Sequence, residues 1–397
     1  MARTIAILTG TRADYGLLKF LARAVAEDPR TELQLIVSGS HLSSEHGSTA
    51  SEIEFDELPI AARVPIWSGD DEPIAAAGDT GAAVKAYAEV LGRLDPEVVV
   101  VLGDRLEALA MALAATVLGI PVAHVHGGEL TEGAMDDSLR HAITKLSHLH
   151  FVTTPEHRAR VIQLGESPDR VHLLGAPVLD AIAQIEMLSP TQLSERFDVE
   201  FDDRTVVMTM HPAAFDAPPT SEILRRALTA IERTPDIRLV ITGTNSDIGS
   251  DEIRSEIFAF VAAHADRAHY VESFGQLAYL SAVRASGAVI GNSSSTVLEA
   301  PLLGTPSILL GDRQFGRPLS ESVLTPESTT DDIHQALQTA LSRPFRERAQ
   351  AVESVFGSAG FAERSLEVLA TFPAARSPRK RFRDIPMPDG LLEDETP

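Results

Sequence analysis

The chain has no cysteine, which excludes disulfides, thiolate nucleophiles and cysteine-based zinc or iron–sulfur sites. Positive charge is scarce: 34 Lys and Arg stand against 57 Asp and Glu, a net charge of −23 at pH 7. A surface that acidic repels polyphosphate at long range, so nucleic acid is not an expected partner. Any phosphorylated ligand must be held by local dipoles and a few placed cations. Long apolar runs are missing too. The longest, residues 108–123, is broken by Gly119-Ile120-Pro121 and falls short of a membrane span. The N-terminal MARTIAILTG carries no signal-peptide pattern, and a cytoplasmic location is expected. Neither G-x-G-x-x-G nor G-x-S-x-G occurs after a strand, which leaves nicotinamide or flavin binding and a serine nucleophile unsupported.

What is present is globular. The 397 residues are 44% apolar and 23% charged, enough for two domains of ordinary size. Short β-branched runs at Thr4–Leu8, Leu33–Val37, Val98–Leu102, Pro121–Val125 and Phe151–Thr153 alternate with helical patterns such as Asp14–Ala26, Gly81–Leu94 and Arg105–Leu118. The alternation restarts at Val206–Met210, Arg238–Thr242, His269–Val271, Ala288–Ile290 and Ser307–Leu310. Two such sets predict an α/β chain of two Rossmann-like domains with parallel sheets, residues 1–178 and 179–372, and a flexible tail from 373 to 397. Ligands of open parallel sheets bind beyond the carboxyl ends of the strands. Arg12, His41, Asp104, Glu129, His211, Asn245 and Ser293–Ser295 all follow strands, so a site in a cleft between the domains is expected.

Three stretches carry chemistry. GNSSSTVLE at Gly291–Glu299 reads as a strand end opening a helix, where free N–H groups and hydroxyls suit a phosphate and Glu299 a sugar hydroxyl. Helix capping alone is the plainer reading. Arg12, after the first strand, offers a cation for a diphosphate. Gly103–Arg140 concentrates Asp104, His124, His126, Glu129, Asp136 and Asp137. Carboxylates against buried strands tend to raised pKa values, which suits general acid–base work. His124-x-His126 and His148-x-His150 lack the carboxylate partners of a metal site, and no metal is expected.

Together these segments resemble the UDP-N-acetylglucosamine 2-epimerase family, particularly its hydrolysing branch from sialic acid biosynthesis. The likeness rests on TGTRADYGLL, SGSHLSSEHGST, GDRLEALAMA, HVHGGELTEGAMDDSLRHAITKLSHLHF, His211-Pro212, GNSSSTVLEAP and GDRQFGRP. It implies a GT-B-like fold with an inter-domain active-site cleft, the last helix returning to the first domain, and a homodimer or homotetramer. It further implies a diphosphate held by Ser293, Ser294, Ser295, Arg12 and Arg313, with Tyr279 on the uracil and Glu299 on the ribose. His211 lies near phosphates and sugar, and Asp104 and Asp136 match two catalytic carboxylates. The third falls on Glu129 or, where some members carry glutamate, on His126. The implied reaction eliminates UDP from UDP-GlcNAc and hydrates 2-acetamidoglucal to N-acetylmannosamine, without metal or cofactor. The same chemistry on a UDP-diacetamido or GDP-linked sugar, a GT-B glycosyltransferase and a non-catalytic nucleotide-sugar sensor are the competing readings.

Overall fold

The computed structural model describes residues 2–42, 50–69, 72–131, 135–213, 218–244, 250–373 and 380–386. The chain divides into two compact units. One holds Met1–Glu129, Ala134–Ala181 and Gly357–Pro397; the other holds Leu130–Gly133 and Ile182–Phe356.

The first unit is built on seven parallel strands: β1 (Arg3–Thr9), β2 (Thr31–Ser38), β3 (Ile60–Val64), β4 (Val98–Leu102), β5 (Val122–Val125), β6 (Leu149–Val152) and β7 (Val171–Leu173). The second has six parallel strands: β8 (Thr205–Thr209), β9 (Arg238–Thr242), β10 (Ala268–Val271), β11 (Ala288–Gly291), β12 (Ser307–Leu309) and β13 (Val323–Leu324). The fold is the expected α/β class of two Rossmann-like parallel sheets. β4 shows why these runs become strands. Its four consecutive valines have at most 1% exposure, and only a sheet covered on both faces buries β-branched side chains pointing in both directions. β3, β7 and β13 are absent from the sequence reading. They are short or half-buried sheet-margin strands with little periodic signal.

Topology fixes where a ligand can lie. The first sheet runs β3-β2-β1-β4-β5-β6-β7 and the second β10-β9-β8-β11-β12-β13. Strand order therefore reverses between β1 and β4, and again between β8 and β11, and crevices open at the carboxyl ends of such pairs. At the second reversal Gly291 is obligatory: a Cβ there would sit 1.9 Å from the Thr209 carbonyl oxygen, at φ +146°.

The last helix, Phe361–Thr371, packs on the helix Arg12–Glu27 of the first unit. Buried Asp180 accepts the N–H groups of Gly360, Phe361 and Ala362 at 2.6, 3.0 and 2.7 Å, so one carboxylate caps this helix. The tail is not wholly free. Lys380 Nζ donates to the carbonyls of Thr144, Lys145 and Ser147 at 3.2, 2.6 and 2.6 Å and pairs with Glu166 at 2.9 Å. Among the described residues no helix is long and apolar enough to cross a membrane.

Candidate functional site

In the first unit, β4 delivers its chain into a turn at Gly103, after which comes Asp104. Asp104 pairs with the guanidinium of Arg140, whose side chain is only 2% exposed on the helix Met135–Leu146 and also lies 3.9 Å from Asp137. Asp136 is in the first turn of that helix, exposed, one turn before Arg140. On the neighbouring strand β5, His124 is fully buried; its Nε2 lies 2.7 Å from the Gly103 carbonyl and its Nδ1 3.1 Å from Thr144 Oγ. Burial pushes its pKa down to about 3, so it is a neutral brace between β4 and the helix. His126 follows at φ +66°, its Nδ1 2.7 Å from Glu129 Oε1. The two residues between which the sequence left the acid–base role open are thus in direct polar contact with each other.

Around the β1 end the picture is tighter. Thr11 and Asp14 form a reciprocal capping box at the start of Arg12–Glu27. Arg12, expected at a diphosphate, forms a 3.0 Å ion pair with Glu52, both partners half-exposed. His41 is 1% exposed with Nε2 2.9 Å from Thr9 Oγ, and burial lowers its pKa to about 4. A small pocket at the strand-order reversal is lined by Gly10, Asp14, Arg105 and Glu107 among others. Burial, opposed by Arg105 and reinforced by Glu107, raises Asp14 to about 6.

In the second unit the chain leaving β8 is laced to the chain leaving β11. His211 N–H donates to Asn292 Oδ1 at 2.8 Å, and Asn292 Nδ2 donates back to the His211 carbonyl at 2.7 Å. Asn292 is fully buried, and its own carbonyl accepts Gln314 Nε2 at 3.0 Å and Arg313 Nη1 at 3.4 Å. The His211 ring, 3.4 Å from Thr244 Oγ, has its pKa lowered to about 4 by burial first and Arg313 second, and is neutral at pH 7. Ser293 Oγ accepts the Ser295 N–H, and Ser295 Oγ accepts the Tyr279 hydroxyl at 2.8 Å. Burial raises that phenol to about 12.

One expectation here is corrected. Gly291–Glu299 does not open a single helix. Ser294–Thr296 is a 3-10 turn, and Glu299 begins a separate helix, Glu299–Leu302. Pro301 has no N–H to return to the Val297 carbonyl, so a continuous helix through this segment lacks that bond. Asn245 lies outside the described residues. Among those described, no group of three or more histidines and carboxylates can hold a metal. His150, fully buried, pairs instead with Glu166 at 3.1 Å.

The sequence gives no role to Arg140, Thr153 or His157, nor to Asp14 and Glu107 in the pocket, and marks Asn292 and Arg105 only as polar residues that follow strands. Arg140 was legible in principle, since it falls three residues after Asp137 on one helix face. Asn292 was legible from Gly-Asn directly after a strand. Thr153 and His157 reach Glu129 only through tertiary structure.

A family model described as UDP-N-acetylglucosamine 2-epimerase matches residues 23–370. The hydrolysing GDP/UDP-N,N'-diacetylbacillosamine 2-epimerase of Campylobacter jejuni is 34% identical over 345 residues, covering 87% of this chain and 89% of its own. The hydrolysing UDP-N,N'-diacetylbacillosamine 2-epimerase of Legionella pneumophila is 31% identical over 373 residues, covering 94% and 97%. Among solved structures, the UDP-GlcNAc 2-epimerase of Methanocaldococcus jannaschii in complex with UDP-GlcNAc and UDP has the same fold. Its TM-score is 0.74 at 20% identity, over 92% of this chain and 99% of that one.

Proposed function

The chain belongs to the UDP-N-acetylglucosamine 2-epimerase family, and from that premise we propose that this enzyme is a hydrolysing 2-epimerase of a UDP-linked 2-acetamido sugar. The reaction releases UDP and the free sugar inverted at C2. The observation that carries the reading is the acid–base equipment of the first unit: Asp104, paired with a buried arginine, stands at the end of β4, and the His126–Glu129 pair follows the adjacent β5.

No carbonyl activates the C2 proton, so departure of the diphosphate leads and positive charge grows on the sugar ring. The C1–O bond breaks with its electron pair leaving on UDP, the C2 proton passes to a base, and the C2–H pair becomes the C1=C2 double bond. Water then adds across that bond, with hydroxide at C1 and a proton on the opposite face of C2. Asp104 and Asp136 offset the ring charge, and they share proton transfer with the His126–Glu129 pair. Ser293, Ser294 and Ser295 hold the diphosphate with N–H and hydroxyl donors, and Arg313 supplies the cation. His211, neutral, contributes a hydrogen bond rather than a charge. Glu299 binds the ribose and Tyr279 the uracil. Arg12 takes part by exchanging Glu52 for the diphosphate.

The two relatives' names favour a diacetamido sugar, and the family description favours UDP-GlcNAc. Both belong in one assay that follows UDP release and identifies the sugar product. UDP and free sugar from either substrate support the reading, and the ratio of kcat/KM values names the substrate. Release of UDP from neither overturns it.

A further inference from the structure

His126 and Glu129 are not interchangeable in this structure, because hydrogen-bond direction separates their roles. Thr153 Oγ–H donates to Glu129 Oε1 at 3.2 Å. A hydroxyl has one proton, so toward His157 Nδ1, 2.6 Å away, Thr153 can only accept. His157 therefore carries its proton on Nδ1. Burial lowers the His157 pKa to about 4, so this ring is neutral at pH 7. The Glu129 oxygen that accepts from Thr153 is also the one 2.7 Å from His126 Nδ1. An ionised carboxylate only accepts, so His126 also has its proton on Nδ1. Its Nε2 then presents a lone pair, and among the described residues this buried nitrogen has no hydrogen-bond partner.

The backbone is shaped to the same end. His126 is held at φ +66°, a conformation that costs a non-glycine residue free energy. Gly128, at φ +80°, has no room for a Cβ, which would lie 2.4 Å from the His157 carbonyl oxygen. Arg160, from the helix Pro155–Gln163 that bears His157, donates to the Gly128 carbonyl. The turn, the helix and Thr153 at the end of β6 lock the pair from three sides.

We infer that His126 Nε2 is the atom that takes the C2 proton in the elimination, and that Glu129, held by Thr153 and His157, is a positioning carboxylate that fixes the tautomer of His126. This rests on the proposed reaction. The proton leaves C2 for Nε2, the C2–H pair forms the C1=C2 bond, and the C1–O pair departs with UDP. The imidazolium so formed is stabilised through Nδ1–H by Glu129. Among the described residues, charged and titratable groups facing the pair include His124 from β5 and His157 and Arg160 from Pro155–Gln163.

The test uses His126→Asn and Glu129→Gln in the full chain, with UDP affinity measured alongside turnover. Asparagine tolerates the positive φ and can still donate to Glu129, so it removes the titrating nitrogen and keeps the turn. His126→Asn is expected to lose roughly 10²- to 10⁴-fold in kcat with UDP affinity unchanged. Glu129→Gln retains an acceptor and loses less. Its removal also releases the tautomer of His126, seen as loss of the Nδ1–H preference. Near-normal turnover by His126→Asn overturns the inference, as does a Glu129→Gln loss equal to or larger than that of His126→Asn with the His126 tautomer unmoved. Long-range proton–nitrogen NMR of histidine-labelled protein reads the tautomer directly and needs no substrate. A His126 proton on Nε2 overturns the inference whatever the reaction is. A wild type that leaves both sugar nucleotides intact, with Nδ1–H observed, overturns the reaction and with it the proton-transfer role, but not the positioning network.

Discussion

Replacing Asp180 by alanine tests how the last helix is tied to the first unit. The carboxylate is 1% exposed and accepts three N–H groups at 2.6–3.0 Å at the amino end of Phe361–Thr371. Phe361 and Ala362 are themselves buried, at 1% and 2% exposure, so Asp180→Ala strands at least two donors away from water. A buried unsatisfied donor costs about 1–3 kcal/mol, and loss of an anion from a helix start adds about 0.5–1 kcal/mol. Relief of the buried carboxylate's own desolvation offsets part of this, leaving about 3 kcal/mol. Asp180→Asn keeps one acceptor oxygen and is expected to cost about half as much. The assay is urea unfolding of wild type and both variants, read with hydrogen exchange of peptides spanning 361–371. Alanine should lower the midpoint more than asparagine and selectively speed exchange in that helix. A loss below about 0.5 kcal/mol, or unchanged exchange there, would refute the capping argument.

Four more expectations are open to direct measurement. Burial alone would raise Glu166, but bonds from His150, Lys145 and Lys380 outweigh it and depress the carboxyl from 4.5 to about 2. Its pairing therefore adds stability above about pH 4.5 that is lost as pH falls toward 2, and Lys380→Met should weaken this dependence in acid titrations of stability. Asn292→Ala removes two bonds that a fully buried side chain makes to the His211 backbone, so it should cost about 2–4 kcal/mol in unfolding experiments and weaken UDP binding in calorimetry. Asp104→Asn should abolish turnover while leaving UDP binding intact, whereas Ser294→Ala should weaken UDP affinity by about 1 kcal/mol or more; retained turnover in the first, or unchanged affinity in the second, contradicts the assigned role.

The interior of both sheets was legible from sequence because its code is local. Val98–Leu102 and Arg238–Thr242 are strands at the positions expected, since an unbroken β-branched run has few other solutions. Sheet margins were not legible. β13 is two residues long and β3 is only partly buried, so neither impresses a period on the sequence. The serine-rich segment after β11 lies where the sequence places it, but its capping residues suggest one helix that Pro301 interrupts. The acid–base residues were found as members of a dense ionisable segment. Which of them touch was not readable, since His126 meets Glu129 only through a turn at positive φ, and Arg140 meets Asp104 across 36 positions of chain. Lys380 falls in the tail that the sequence marks as flexible. Its place against three carbonyls at the end of Met135–Leu146 is a purely tertiary fact.

The central claim is tested most directly by proton NMR of the purified enzyme with UDP-GlcNAc, and with its diacetamido counterpart, in deuterated water. The account predicts equal amounts of UDP and free 2-epimerised sugar carrying deuterium at C2. A UDP-linked epimer, free sugar retaining its C2 proton, or both spectra unchanged would contradict it.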